Sequence, residues 1–351
     1  MRTFIIPVIF FVSVCLILGM TIDSGTAPLQ RLSEYGFFSG PLHAQNPAGG
    51  TIPYRLNTPL FSDNAEKLRF LRVPAGTSAP YNDSMVFDFP EGTVLIKTFY
   101  YPADFRSPEK GRRLLETRLL IHEASGWKAY PYVWDEEQKD AYLEVAGDVR
   151  QVSYVDKNGK KQQHAYHVPN MNQCKGCHNR FEKLSPIGPS ARQLSGSLER
   201  IPGALSQLHQ WAKLGILRNM PDTAELIPAL VWNDPSSGTL DQRARIWLDI
   251  NCAHCHQTGG PAATSGLYLN YDENDPRRLG ILKTPVAAGR GSGNLNFDIF
   301  PSEPAKSILL HRMASTDPGI MMPELGRSRP DKEAVELISA WIREMPVGGS
   351  K

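Results

Sequence analysis

The sequence predicts a multidomain α+β protein: an N-terminal β-rich, sandwich-like domain followed by two mainly α-helical units. Three observations predict it. From about Thr51 to Pro169 strand-forming residues alternate with turn residues. From Met171 onward the apolar spacing turns helical. Glycine and proline, 29 and 28 of 351 residues, punctuate both halves and predict long irregular loops. These shifts of composition divide the chain into 45–170, 171–239 and 240–351, after a distinct segment 1–26.

Segment 1–26 opens with Arg2 and an apolar stretch from Phe4 to Met20, broken by Pro7 and Ser13. Charge, apolar core and small-residue exit read as a secretory signal peptide. An uncleaved anchor is the alternative, since the stretch lies at the lower edge of membrane-spanning length. Contact with a membrane is expected only in that case. The rest of the chain, 41% apolar and 21% charged overall, excludes a polytopic membrane protein and a wholly disordered one. Lysine and arginine number 38 against 36 acidic residues, a formal charge of +2. No chain-wide field is present to hold nucleic acid.

In the β-rich part, Thr93 to Tyr100, Glu116 to His122 and Ala141 to Val145 carry β-branched and aromatic residues. Ala124-Ser125-Gly126 marks a turn, and Asp156-Lys157-Asn158-Gly159 a hairpin. No catalytic motif falls there, so the expected role is a docking module for a redox partner protein. Further on, Ala204 to Lys213 places Leu205, Leu208 and Ala212 on one helical face with Trp211 beside them. A linker with Pro228, Pro235 and Gly238 follows. Asp241 is the expected cap of a helix that carries Ala244, Trp247 and Leu248 and runs into Cys252. Asp331 is the expected cap of a last helix with Ala334, Ile338, Trp341, Ile342 and Met345 at helical spacing.

Of the 5 cysteines, Cys15 lies in the exported segment. The other four stand as Cys174-Lys175-Gly176-Cys177-His178 and Cys252-Ala253-His254-Cys255-His256, two copies of C-x-x-C-H. Thiols three apart in a helical segment share a side, so each can close a thioether to one vinyl group of a single haem. The histidine that follows then ligates iron from the proximal side. Two covalently bound haem c groups are expected, at Cys174, Cys177 and His178 and at Cys252, Cys255 and His256. A compact zinc ribbon would separate its cysteine pairs by roughly 15–20 residues, far fewer than here. A disulfide framework gives no reason for a histidine after each pair.

A helix entering C-x-x-C-H, a wrapping loop with Met322-Pro323 and a closing amphipathic helix resemble the class I cytochrome c fold for the C-terminal unit. By that resemblance Met322 is the distal iron ligand opposite His256, with Met321 and Met313 as alternatives. For the first haem Met220, also followed by proline, is the candidate. His164, His167, His209 and an open sixth position remain beside it. Over the whole chain the resemblance is to a family of exported bacterial dihaem c-type cytochromes. It rests on Thr58-Pro59-Leu60-Phe61-Ser62-Asp63, the run from Gly111 to Leu120, Val168-Pro169-Asn170 and Met321-Met322-Pro323-Glu324-Leu325-Gly326. It implies a periplasmic protein in which the β-rich region and both haems belong together.

Gly289-Arg290-Gly291-Ser292-Gly293 lacks the strand-to-helix setting of a phosphate cradle, and Arg290 is instead a candidate partner for a haem propionate. The expected function is single-electron transfer in the periplasm. The alternatives are a peroxidase-like dihaem enzyme with an open first haem, and a haem-based sensor.

Overall fold

Six strands run as an antiparallel meander in chain order: β1 (Ile52–Tyr54), β2 (Glu66–Arg72), β3 (Val94–Pro102), β4 (Arg112–Glu123), β5 (Gly126–Trp134) and β6 (Ala141–Leu143). The computed structural model describes residues 27–199 and 204–346; the signal-peptide reading, with Cys15, falls outside them. Alternation along β3 decides what each face meets. Val94 and Ile96 join Leu119, Ile121, Tyr132 and Trp134 in one core. Leu95 and Phe99 face the other way, into two further apolar clusters.

That second face is covered by a mixture of elements. A hairpin of β7 (Asp148–Val155) and β8 (Lys161–Val168) lays Val152, Tyr154, Tyr166 and Val168 over Phe99, Tyr101, Leu115 and Val133. Its turn forms as the sequence predicts: Gly159 takes the left-handed φ of 79°, and the Asp156 carboxylate accepts the Asn158 and Lys160 N–H groups at 2.9 Å each. Trp211 and Leu208, with Phe87, Phe89 and Tyr54, cover Leu71 and Leu95 beside the hairpin.

Six α-helices occur among the described residues: α1 (Met171–Cys177), α2 (Ala191–Leu194), α3 (Gln207–Lys213), α4 (Leu240–Asn251), α5 (Ile308–Ala314) and α6 (Lys332–Glu344). Their brevity corrects the expected fold class. The molecule is β-rich and built on one six-stranded sheet; it is neither a sandwich nor a pair of mainly helical haem units. Region 171–239 holds helices of seven, four and seven residues. Its Leu217–Arg218 strand pairs in parallel with Ala79–Pro80 of the β-rich region. Prolines explain the shortfall, because each removes a helical donor and fixes φ: Pro186, Pro189, Pro221, Pro228 and Pro235 interrupt this region, and Pro261, Pro276, Pro285, Pro301 and Pro304 the stretch before α5. The C-terminal region correspondingly has α4 and α6 against a common core but a long irregular connection between them, so the expected class I cytochrome c-like unit is overturned with the rest of that fold assignment.

The segment between β1 and β2 ties the regions into one body. The Asn57 amide donates to the Arg192 carbonyl and the Ser195 hydroxyl, both at 2.9 Å. Thr58 donates to the Leu230 carbonyl at 3.0 Å, and the Asn251 side chain accepts the Phe61 N–H at 2.8 Å. Asp63, buried at a left-handed φ of 49°, accepts the Ser328 N–H and hydroxyl and the Arg329 N–H at 2.8 to 3.1 Å. Removing that buried carboxylate takes the acceptor from exposed Ser328 and half-buried Arg329, which costs about 1–2 kcal/mol. Asp63→Ala is therefore expected to lower the unfolding free energy by about that amount in urea titration, and an unchanged midpoint contradicts this role.

Candidate cofactor site

Both C-x-x-C-H motifs are delivered by capped helices. At α1 the Asn170 side chain accepts the Gln173 N–H at 2.8 Å, and the Gln173 side chain accepts the Asn170 N–H at 2.9 Å. This reciprocal box closes two open donors at the helix start. At α4 the same box joins Thr239 and Gln242, at 3.2 and 2.9 Å. Thr239 thus takes the place expected for Asp241, whose carboxylate instead accepts the Trp341 indole N–H at 2.8 Å and binds α4 to α6. Asp331 caps α6 as the sequence predicts, accepting the Ala334 N–H at 3.1 Å.

The helices bring the two motifs into contact. One ligand atom each of Cys177, His254 and Cys255 lie within 4.8 Å of one another, and the Cys255 thiol lies 3.7 Å from the Gly176 carbonyl. Cys177 accepts from Cys255 and His254, which draws its thiol toward the thiolate, while Cys255 is held in the protonated, donating form. Burial pushes the Cys252 thiol up to about 12 and raises that of Cys174. All four cysteines are free. His254, inside the second motif, is buried with its Nδ1 unpartnered among the described residues. No periodicity could have revealed its contact with a cysteine of the other motif.

Each motif's terminal histidine is held as a neutral ring. His178 Nδ1 donates to the Ser185 carbonyl at 3.2 Å. Burial, with the charge of Lys97 adding to it, holds this imidazole down at about 3. His256 Nδ1 lies 3.4 Å from the Ser265 hydroxyl, and burial lowers that ring to about 4. A neutral ring with Nδ1 engaged keeps Nε2 as the open lone pair, which is the arrangement a metal ligand requires.

Two adjoining clefts flank the first motif. One encloses about 870 Å³ of space, partly open to solvent, with Cys174, Cys177, His178, Trp247, Met322 and Arg327 in its walls. The other, likewise partly open to solvent, takes in about 760 Å³ between the sheet and Ile187, with Leu56, Arg69, Leu95, Lys97, Cys174 and His178. The expected ligands fall unevenly around them. Met322 lines the cleft of Cys174 and His178, which does not include His256. Met313 lines it too, while belonging to the C-terminal core. Met321 is buried. Met220 packs against the cluster of Tyr54, Phe87, Phe89 and Trp211 and lines neither cleft. Arg290 is exposed, donates to Asp317 at 2.6 Å and likewise lines neither cleft.

The sheet itself supplies a feature that sequence reasoning missed. Lys97 and Arg118 project from β3 and β4 into both clefts, and Arg69 from β2 into the second. The β-rich region therefore forms a wall of the site. No protein family, curated protein or solved structure compared with the chain matches it.

Asp249, on α4, lines a third cleft with Cys177 and His254. Its carboxylate accepts the Tyr271 N–H at 2.9 Å, yet burial raises it from 3.8 to about 6. The folded chain holds this proton more tightly than the unfolded one. Its contribution to stability therefore falls as pH rises from about 4 to 6, and the ionised group is a burden above that window. Asp249→Asn preserves an acceptor for Tyr271. It is expected to raise the unfolding free energy at pH 7 by about 1–3 kcal/mol and to flatten the pH dependence between 4 and 6. Equal or lower stability at pH 7 in denaturant titrations contradicts this.

Proposed function

We propose that this chain is a dihaem c-type cytochrome that passes single electrons in the periplasm between redox partner proteins. The observation that carries the reading is the convergence of two complete C-x-x-C-H pentads, with four free thiols and two neutral histidines, beside clefts lined largely by apolar side chains. The residues fit the group: each thiol can add across a vinyl, leaving one thioether and no free S–H, and each imidazole offers Nε2 to iron. Bound there, haem iron supplies one-electron ferric and ferrous chemistry.

The chain's own residues do the rest. Cys174 and Cys177, with Cys252 and Cys255, fix the two cofactors to one place in the fold. Ser185 and Ser265 orient the proximal rings through Nδ1. Met322 is the thioether donor we assign to an iron at this junction; such a ligand favours the ferrous state. Leu60, Leu95, Trp247 and Ile250 keep water from the clefts. Export of the chain, as read from segment 1–26, suits a cofactor that covalent bonds retain.

One observation favours a second reading. Met220 packs in an apolar cluster and lines neither cleft, so the first haem has no methionine from the position the sequence nominates. An open sixth position would make the protein a peroxidase-like enzyme or a sensor; carbon monoxide binding to the reduced protein supports that reading over a pure carrier.

Haem content tests the primary reading. Protein matured in a host with cytochrome c assembly is expected to give two haems per chain by pyridine haemochrome, and an intact mass increased by two macrocycles. The Cys174→Ala/Cys177→Ala variant is expected to keep one. Colourless protein, or protein holding zinc at Cys177, His254 and Cys255 in place of haem, contradicts it.

A further inference from the structure

The inner face of the sheet carries more positive charge than the protein around it answers. Arg69 pairs across strands with Lys97, and Lys97 with Arg118; Lys67 lies two residues from Arg69 on the same face of β2. Like charges directly opposite on a sheet repel, and with Arg69 buried and Lys67, Lys97 and Arg118 half-buried little water screens them. Glu116 on the same face is already engaged: it accepts two bonds from Arg118, at 2.7 and 2.5 Å, and the Tyr166 hydroxyl at 2.6 Å. Lys67 donates to the Leu60 carbonyl at 2.9 Å. Among the described residues no carboxylate forms an ion pair with Lys67, Arg69 or Lys97; Glu66 acts on Lys67 and Arg69 without reaching them.

The Phe99 ring answers part of the charge, with Lys67, Lys97 and Arg118 over it at 4.3 to 5.8 Å; the rest is tolerated in two ways: the amines release protons, or an anion lies against them. Burial and the neighbouring cations already bring Lys67 and Lys97 down to about 7. The second cleft follows the row. Its sheet wall carries Arg69, Lys97 and Arg118, and its other walls are mainly apolar, with Leu56, Ile187 and Ile250 beside Gln193 and His178. Arg118 is the cation that acts most strongly on the Cys174 thiol. Arg69 stands two strands further on, roughly 10 Å away. The row thus leads from a haem attachment point toward the far end of an apolar slot.

We propose that Arg69 and Lys97 bind the paired carboxylates of the cofactor attached at Cys174 and Cys177. This rests on the dihaem reading: a haem joined through its vinyl groups presents its two propionates at the opposite edge. The row would neutralise them, taking the part foreseen for Arg290. A free oxyanion is the other source of the same chemistry.

The test uses matured protein with Arg69→Gln, Lys97→Gln, both together, and Arg69→Lys as the charge-conserving control. Lys97→Met, which keeps the side-chain bulk, guards against loss of folding. Haem content is measured first; if haem is absent, the dihaem reading fails and this inference with it. With both haems present, each lost cation is expected to disfavour the reduced state of one haem by about tenfold, 59 mV for a one-electron couple, because positive charge nearby opposes the ferric form. The other haem stays unmoved, and Arg69→Lys recovers most of the shift. Two potentials equal to the parent's in the double variant, with both haems retained, overturn the inference while the dihaem reading stands. Inorganic phosphate separates the sources. A saturable phosphate shift of the Soret band in the parent, absent from the double variant and joined to unchanged potentials without phosphate, assigns the row to a free anion and overturns the propionate assignment.

Discussion

The contact between Cys177 and Cys255 is the constraint around which the rest of the structure is arranged. Two motifs far apart in the chain meet at their second cysteines, so every element that delivers one motif must be held against an element that delivers the other. The segment from Asn57 to Asp63 does this holding. It bonds in turn to the region of α2, to the end of α4 and to the loop before α6. Thioether attachment at Cys177 and Cys255 would hold two cofactors close together, within reach of direct electron exchange.

The sheet is buried on both faces. One face has an ordinary apolar core of Ile96, Leu119, Tyr132 and Trp134. The other divides among a hairpin, an aromatic cluster and the clefts, and the charged row lies where the clefts are. Cations side by side and largely withdrawn from water destabilise a protein that leaves them unanswered. Their presence beside Cys174 is intelligible if the folded, loaded protein brings negative charge to them.

Much of the local structure was legible in the sequence. The strands around Ile96 and Leu119 follow from β-branched alternation, the hairpin turn from Asp156 and Gly159, and α6 from Asp331 followed by apolar residues at helical spacing. The helix near Trp211 exists, but it spans seven residues and its apolar face packs against Phe87 and Phe89. Helical spacing there says nothing of what the face will meet. The fold class differs from the expected one for a related reason: helical spacing between prolines predicts whole helical units where the chain forms only short helices. Of the site, the cysteines and histidines declared themselves by spacing. Lys97 and Arg69 could not, since only the register of two strands places them together, and neither could His254, whose neighbour belongs to the other motif.

Circular dichroism of the Soret band in matured protein tests the central claim most directly, because two porphyrins attached at touching cysteines must couple excitonically. The account predicts a two-signed Soret couplet in the parent that collapses to a single-signed band when Cys252 and Cys255 are both replaced by alanine. A parent spectrum equal to the sum of the two single-haem variants would contradict it.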